Sequence, residues 1–403
     1  MAQHIEVVVI GGGYAGVMAA NRLTKHDGVA VTLINPRARF VHRVRLHQWV
    51  GGTGNAVVDY GEVLGERVRI VTDTVSRIDA AGRGVVLASG GTVGYDYLVY
   101  AVGSGSAAPQ VPGAAEFGHP LATMEEADRL RAALDAAPAT AGVTVVGAGP
   151  TGIEIAAELA GTGRDVTLLC GGPLGPYLHP RGRRSVAGRL ARLGVTVLDG
   201  PASRVTEVFR DGVRLADGRR VAGGVTVWTA GFGVPDLAVR SGLSTDGEGR
   251  LLTDETLTSV DDPRIVGAGD SAAPSDVALR MSCQAAIPMG ARAADTVLSR
   301  IAGERPSPLV QAFAAQCVSL GRDDGIFQFA RRDDVALWLH LAGRSGAKVK
   351  EIVCEGIIKH LAGEADKPGS YRLHRLPGNA RHRQLLRAGS SGVPSRRTAE
   401  RAS

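Results

Sequence analysis

Twice in this chain a run of β-branched and apolar residues ends in a glycine-rich turn that opens a helix, and the two copies align at Gly11 and Gly147. In the first, the run from Ile5 to Ile10 leads into Gly11-Gly12-Gly13-Tyr14-Ala15-Gly16. A helical stretch from Val17 to Leu23 follows, then a second strand from Val29 to Ile34. In the second, Val143 to Val146 leads into Gly147-Ala148-Gly149-Pro150-Thr151-Gly152, a helix from Ile153 to Leu159 and a strand from Val166 to Leu169. Each copy is a βαβ unit. A lone GxGxxG turn arises without any ligand. Two of them, each after a strand and at a helix start, place backbone N–H groups and a helix N-terminus where a pyrophosphate can be held. Two dinucleotides in one chain imply transfer between them, and FAD with NAD(P)H is the pairing whose chemistry makes sense.

The material after each unit repeats as well. Hairpin signals stand at Gly90-Gly91 in the first half and at Asp211-Gly212 and Asp217-Gly218 in the second. Each half closes on a strand that ends in glycine, YLVYAVG at 97–103 and VTVWTAG at 225–231. Residues 104–113 read as the crossover between halves and 235–250 as the return, after which the strand and turn of 261–270 rejoin the first half. The expected fold is α/β: two Rossmann-like three-layer dinucleotide-binding domains plus a C-terminal helical module. The FAD domain takes residues 1–107 and 245–305, and the NAD(P)H domain takes 108–244. The module takes 306–364, with helical apolar spacing at Val335, Leu339 and Ala342 and again at Ile352, Ile357 and Leu361. Residues 365–403, rich in Arg, Gly, Ser and Pro, read as a disordered basic tail.

Charge and cysteines narrow the function classes. The formal charge is +6, yet residues 365–403 alone hold nine Lys/Arg against two Asp/Glu, so the body is close to neutral. A basic body for gripping nucleic acid is therefore absent, and Tyr371 is the single aromatic of the tail, which argues against specific base stacking. Four scattered cysteines, Cys170, Cys283, Cys317 and Cys354, offer neither a disulfide framework nor a zinc site, in keeping with a reducing cytoplasm. No run reaches the roughly 18 apolar residues of a membrane span.

Gly11, Gly13 and Gly16, Asp79 within VSRID, the glycine ending YDYLVYAVG, and IVGAGD at 265–270 follow one another in an order that resembles the flavoproteins with two dinucleotide-binding domains, the glutathione-reductase-like group. The resemblance spans roughly residues 1–305. It implies that Gly13 and Gly16 flank the FAD pyrophosphate, that Val75 touches the adenine through its backbone, and that Asp270 binds the ribityl chain. With Tyr14, Ala15, Gly103 and Gly269 these make the expected FAD contacts. Asn35 stands where the fingerprint carries an acid for the ribose hydroxyls, and its amide can still bond one. Gly147, Gly149 and Gly152 are the expected nicotinamide-dinucleotide contacts, and Glu154 occupies the position where this family carries a glutamate near the nicotinamide. The corresponding second-strand acid is absent, Cys170 standing there. Arg181, Arg183 and Arg184 could meet a 2′-phosphate, so NADH and NADPH both stay open.

The acceptor is read from absences and from one helix start. No cysteine precedes Cys170, so the dithiol relay of a disulfide reductase is excluded. Among family members without that pair, the chain most resembles type II NADH:quinone dehydrogenases and apoptosis-inducing-factor-like oxidoreductases. In the quinone enzymes an AQxAxQ segment lies against the flavin. Here the matching stretch is Cys283-Gln284-Ala285-Ala286-Ile287-Pro288, which keeps the first glutamine and replaces the second by proline. The loop from Phe40 to Trp49 alternates basic and bulky residues. It reads as a half-exposed strand or helix entry, or as a cover on the isoalloxazine from which Arg43, Arg45 or His47 faces substrate. Trp49 reads as core. Glu154, Gln284 and Arg43 are thus the expected catalytic residues, and no metal is expected. Three functions stay open: an FAD-dependent NAD(P)H oxidoreductase with a quinone-like acceptor, a soluble tailoring or detoxifying oxidoreductase, and a non-catalytic redox sensor. For residues 333–362 a face on the inner membrane surface competes with homodimerisation or core packing, since Lys348, Lys350 and Lys359 shorten the apolar stripe.

Overall fold

A computed structural model describes residues 4–372 and 380–390. Two five-stranded parallel sheets carry the duplication into three dimensions. The first runs Ile265–Gly267, Tyr97–Tyr100, Ile5–Ile10, Val29–Asn35, Val68–Thr72 across its width. The second runs Gly118–Pro120, Val225–Trp228, Val143–Val146, Val166–Leu169, Thr196–Leu198. In both, the strand before the glycine turn lies at the centre, paired in parallel on both sides. All-parallel strands are covered on both faces, which is why these runs are apolar throughout instead of alternating. The halves differ at one edge. The outer strand of the first sheet comes from residues 265–267, after the whole second half, so the first sheet is assembled from discontinuous chain. Each sheet also carries a three-stranded antiparallel flap, Val75–Asp79 with Gly84–Leu87 and Thr92–Gly94 in one, Val205–Phe209 with Gly212–Leu215 and Arg220–Ala222 in the other.

The first cradle helix, Tyr14–Leu23, is buried along its whole length against the long helix Cys283–Ile301. Their backbones touch where Gly290 meets Ala15, and a Cβ at Gly290 would overlap the Ala15 carbonyl. The second cradle helix, Pro150–Gly161, packs into a separate core under the second sheet, which also receives Val318, Leu320 and Ile326 from the C-terminal module.

Two expectations for the C-terminal third are corrected. The module is not helical throughout: Ala315–Ser319, Gly325–Ala330 and Ala336–Gly343 form an antiparallel sheet before the helix Arg344–Asp366. Val335, Leu339 and Ala342 fit a helical spacing, but Ala336 to Ala342 also satisfies a strand, and pairing with Gly325–Ala330 decides between them. Glycine at 343, with φ +70°, ends the strand and starts the helix. The expected disordered tail also contains order. Residues 365–372 are packed by Glu364, which accepts from the N–H groups of Gly369 and Tyr371, and Ala380–Ser390 is a helix. The rest of that stretch lies outside the described residues. The 40–49 segment is a short strand, Arg39–Val41, then a 3-10 turn, Arg43–Arg45, then the helix Leu46–Gly51.

Candidate functional site

The two glycine turns divide their glycines by job. Gly11 sits at φ +102° against the Ala101 carbonyl, and Gly147 at φ +116° against Thr229. A Cβ on Gly16 would overlap the Gly11 carbonyl, and one on Gly152 the Gly147 carbonyl. The protein's own packing therefore accounts for the first and last glycine of each turn. It does not account for the middle ones. Among the described residues, nothing beyond the glycine's own chain neighbours and helix comes within 4 Å of the Cβ position at Gly13 or Gly149, and each caps its helix without any side-chain hydrogen bond. Uncapped N–H groups at a helix start, facing open space that only glycine leaves clear, fit a pyrophosphate at both places.

Around the first turn, buried Asn35 accepts from the Gly12 N–H at 2.9 Å through Oδ1 and donates to the Arg37 carbonyl at 2.8 Å. The Tyr60 hydroxyl donates to the Gly12 carbonyl. Asn35 thus ties down the turn itself as its first task. Tyr14 turns inward: its ring meets Phe40 edge-on at 5.4 Å, and its hydroxyl pairs with His42 Nδ1 at 3.0 Å. Its structural role is to anchor the 40–45 segment to the cradle helix. Ala15 lies under Gly269, Val75 opens the flap strand in a buried position, and Gly103 has φ +71° just beyond the central strands. At those strand ends three distant segments meet. Ser104 Oγ donates to Asp270 at 2.7 Å and accepts from Arg43 Nη1 at 3.1 Å, and Arg43 and Asp270 are 3.9 Å apart. The carboxyl ends of parallel strands are where open α/β sheets bind ligands.

Glu154 is buried in a cluster drawn from four elements. Its Oε1 accepts from Lys350 Nζ at 2.5 Å and from the Ser319 N–H at 3.0 Å, and His47 Nδ1 stands 3.5 Å from Oε2. Burial raises the Glu154 pKa, but the charge and hydrogen bond of Lys350, together with His47 and the Ser319 N–H, more than offset it and hold the carboxyl below the usual range. Burial likewise pulls Lys350 down, and the Glu154 carboxylate raises it above its ordinary value. His47 is pushed down to about 4, chiefly by burial, and is neutral. One turn along, Glu158 accepts from Thr53, and burial raises its pKa. Lys350, which the sequence presented as a charge shortening an apolar stripe, points inward instead. The signal was available: Lys350, Cys354, Ile357 and Leu361 share one helical face, and that face is buried. Arg45 pairs with Glu351 on the same helix, at 2.5 Å, so the 43–51 segment and the module close on each other.

Gln284 lies in the first turn of the helix Cys283–Ile301, capped by Ser282, whose Oγ accepts from the Ala285 N–H. Pro288 inside this helix lacks the N–H that would reach the Gln284 carbonyl, and Gln311 Nε2 donates to it at 3.0 Å instead. The proline is thereby accommodated without a kinked, unpaired carbonyl. Cys283 beside it is pushed up to about 12 by burial, and all four cysteines are free. Trp49 is half-buried, packing its ring against the core under the second sheet while Nε1 donates to Asp128 at 2.7 Å and Arg131 lies over the ring. Arg181 lies over the Trp338 ring. Among the described residues no helix is long and apolar enough to cross a membrane.

Comparison with known proteins agrees with this geometry. An NADH dehydrogenase-like protein of Mycobacterium tuberculosis is 35% identical over 322 residues, covering 73% of this chain and 80% of the relative. The type II NADH:quinone oxidoreductase Ndh of that species is 29% identical, covering 75% and 74%. Among solved structures, the sulfide:quinone oxidoreductase of Aquifex aeolicus superposes with a TM-score of 0.74 at 19% identity, covering 91% of this chain and 93% of that one. NDH2 of Plasmodium falciparum in complex with NADH gives 0.71 at 15%, covering 91% and 98%. These two likenesses concern the fold, and they extend over the C-terminal module. The family described as pyridine nucleotide-disulphide oxidoreductase matches residues 5–290. The chain belongs to that family and is an NAD(P)H oxidoreductase whose cofactors are FAD and a nicotinamide dinucleotide.

Proposed function

We propose that this protein oxidises NAD(P)H and reduces a quinone-like acceptor, with FAD on the Gly11–Gly16 turn and the nicotinamide dinucleotide on the Gly147–Gly152 turn. Bound there, FAD would supply the two-electron chemistry that links nicotinamide oxidation to reduction of a second substrate. The N–H groups around Gly13 and Gly149 would hold the two pyrophosphates. Val75 would meet the adenine, and Asp270, oriented by Ser104, would accept from the ribityl hydroxyls. Arg43 supplies positive charge next to them, and the first turn of the helix Cys283–Ile301, which packs by Gly269, brings its dipole there and carries Gln284, whose Oε1 accepts from the Ala314 N–H.

The observation that carries this reading is the buried Glu154–Lys350–His47 cluster. Quinone reduction takes up protons together with electrons, and a closed site has to store them. Glu154 accepts from Lys350 Nζ at 2.5 Å and His47 Nδ1 stands 3.5 Å from the same carboxylate, so three titratable side chains share one buried site along which a proton can be passed. The acceptor's solubility fits an exposed apolar edge. Leu337, Trp338, Leu339 and Leu341 of the strand Ala336–Gly343 stand open, as does Ile352, which is 66% exposed. That edge suits peripheral contact with the inner face of the cell membrane, and a homodimer through the same surface is its competitor.

Pro288 in place of the second glutamine favours the second reading, a cytoplasmic oxidoreductase acting on another small molecule. Steady-state assays with NADH and NADPH against a soluble quinone, ferricyanide, a cytochrome and oxygen separate the readings. The quinone is expected to give the highest kcat/KM. Turnover with every acceptor except quinone would remove the first reading, and no turnover with any would leave a redox sensor.

A further inference from the structure

We propose that the terminal helix Ala380–Ser390 is an intramolecular latch on the loop joining Asp270 to Gln284, and that Arg381 is the positioning residue that fastens it. Arg381 is 2% exposed. Its guanidinium donates to both oxygens of Glu255, at 3.1 and 2.9 Å, to the Pro274 carbonyl at 2.6 Å and to the Val277 carbonyl at 2.7 Å. A buried guanidinium is tolerated only when its donors are met, and here the planar fork is met by a carboxylate and two loop carbonyls. The contacts are built for this loop: Ser275 Oγ donates to the same Glu255 at 2.7 Å.

The loop is one that relaxes unless held. Ser275 and Asp276 are consecutive non-glycine residues at φ +52° and +57°, a conformation that persists only where surroundings impose it. The far end of the loop is gripped too. Arg280 pairs with Asp334 at 2.5 Å, and Arg387 of the terminal helix pairs with the adjacent Asp333 at 2.9 Å. The helix therefore holds the loop directly, at 274–277, and indirectly, through the 333–334 turn that anchors Arg280. Immediately downstream come Ser282, the helix cap, and Gln284. With the latch closed, Asp270 and Gln284 keep a fixed spacing; with it open, the link between them slackens while both glycine turns stay intact.

The inference rests on the proposal that Asp270 and Gln284 face the flavin, so its test includes a readout independent of that proposal. Hydrogen exchange of residues 274–284 is compared in the full chain, in Arg381→Ala, in Arg381→Lys and in a chain ending after Arg372. Quinone KM and anaerobic flavin reduction by NADH are measured alongside. Arg381→Ala and the truncation are expected to speed exchange about tenfold or more. They should raise quinone KM about three- to tenfold and leave flavin reduction within about twofold of wild type. Arg381→Lys, which keeps the charge and loses the fork, should fall between. Unchanged exchange in Arg381→Ala overturns the latch, as does faster exchange with unchanged KM, or an equal slowing of flavin reduction. If Arg381→Ala does not fold, Glu255→Gln carries the same expectations. If wild type shows no NADH-driven flavin reduction, the functional reading fails and exchange alone decides the latch.

Discussion

Replacing Lys350 with methionine tests the charge cluster at its most exposed assumption, that Glu154 is ionised because Lys350 is there. Methionine keeps the length and apolar stem of lysine and removes the ammonium. Glu154 then retains the Ser319 N–H at 3.0 Å and neutral His47 at 3.5 Å, but no cation in contact. Breaking one side of a buried ion pair costs about 3–5 kcal/mol, because the remaining charge stays desolvated. The structure also fixes how that cost varies with pH. In wild type the Glu154 pKa is lowered, so its contribution is present above the ordinary carboxylate range and is lost as pH falls below that range toward the lowered value. In Lys350→Met burial acts without Lys350 and the pKa rises. The cost is then largest near pH 8 and shrinks as falling pH protonates Glu154. Urea unfolding of wild type and variant at pH 8 and 5.5 measures it: a difference of about 3–5 kcal/mol at pH 8, smaller by more than about 1 kcal/mol at pH 5.5. Adding Glu154→Gln should recover most of the loss, since no buried charge is left unpaired. A cost that does not vary with pH, or a double variant as unstable as the single one, would refute the reasoning.

Gly13→Ala should change unfolding free energy by no more than about 0.5 kcal/mol, since no other described residue comes within 4 Å of the new Cβ, yet reduce FAD retention. Gly149→Ala should leave the protein yellow and weaken NADH binding about tenfold, and loss of flavin from Gly149→Ala instead would reverse the assignment of the two turns. His42 and His47 are both held down to about 4 by burial, against 6.5 in the open chain. Their stabilisation is complete above pH 6.5 and is lost as pH falls toward 4, by up to about 3 kcal/mol each. A His42→Gln, His47→Gln variant should flatten the unfolding-against-pH curve over that window, and an unchanged slope would count against buried neutral histidines. Changing all four cysteines to serine should leave NADH-driven flavin reduction within about threefold of wild type, measured anaerobically, because no thiol lies on the proposed electron route.

How much of this was legible in the sequence follows from which forces act locally. A turn that must reach φ +102° at Gly11, or bring Gly16 against a carbonyl five residues back, leaves its mark in residue type, because no side chain fits there. Parallel strands covered on both faces leave continuous apolar runs, so the two sheets could be anticipated, including the return of residues 265–267 to the first. The strand Ala336–Gly343 could not, since its apolar spacing satisfies two periods and only its partner strand selects one. Tertiary structure alone decided the pairings of buried charge. Lys350 meets Glu154 across 196 residues, and Arg381 meets Glu255 across 126. The helical face that Lys350 shares with Cys354, Ile357 and Leu361 marks it as inward-pointing, but nothing in the chain names its partner, and nothing near Arg381 distinguishes it from a solvated charge. Whether an ammonium or guanidinium can leave water depends on an acceptor brought to it by the rest of the fold, and that acceptor's position is a property of the packed molecule.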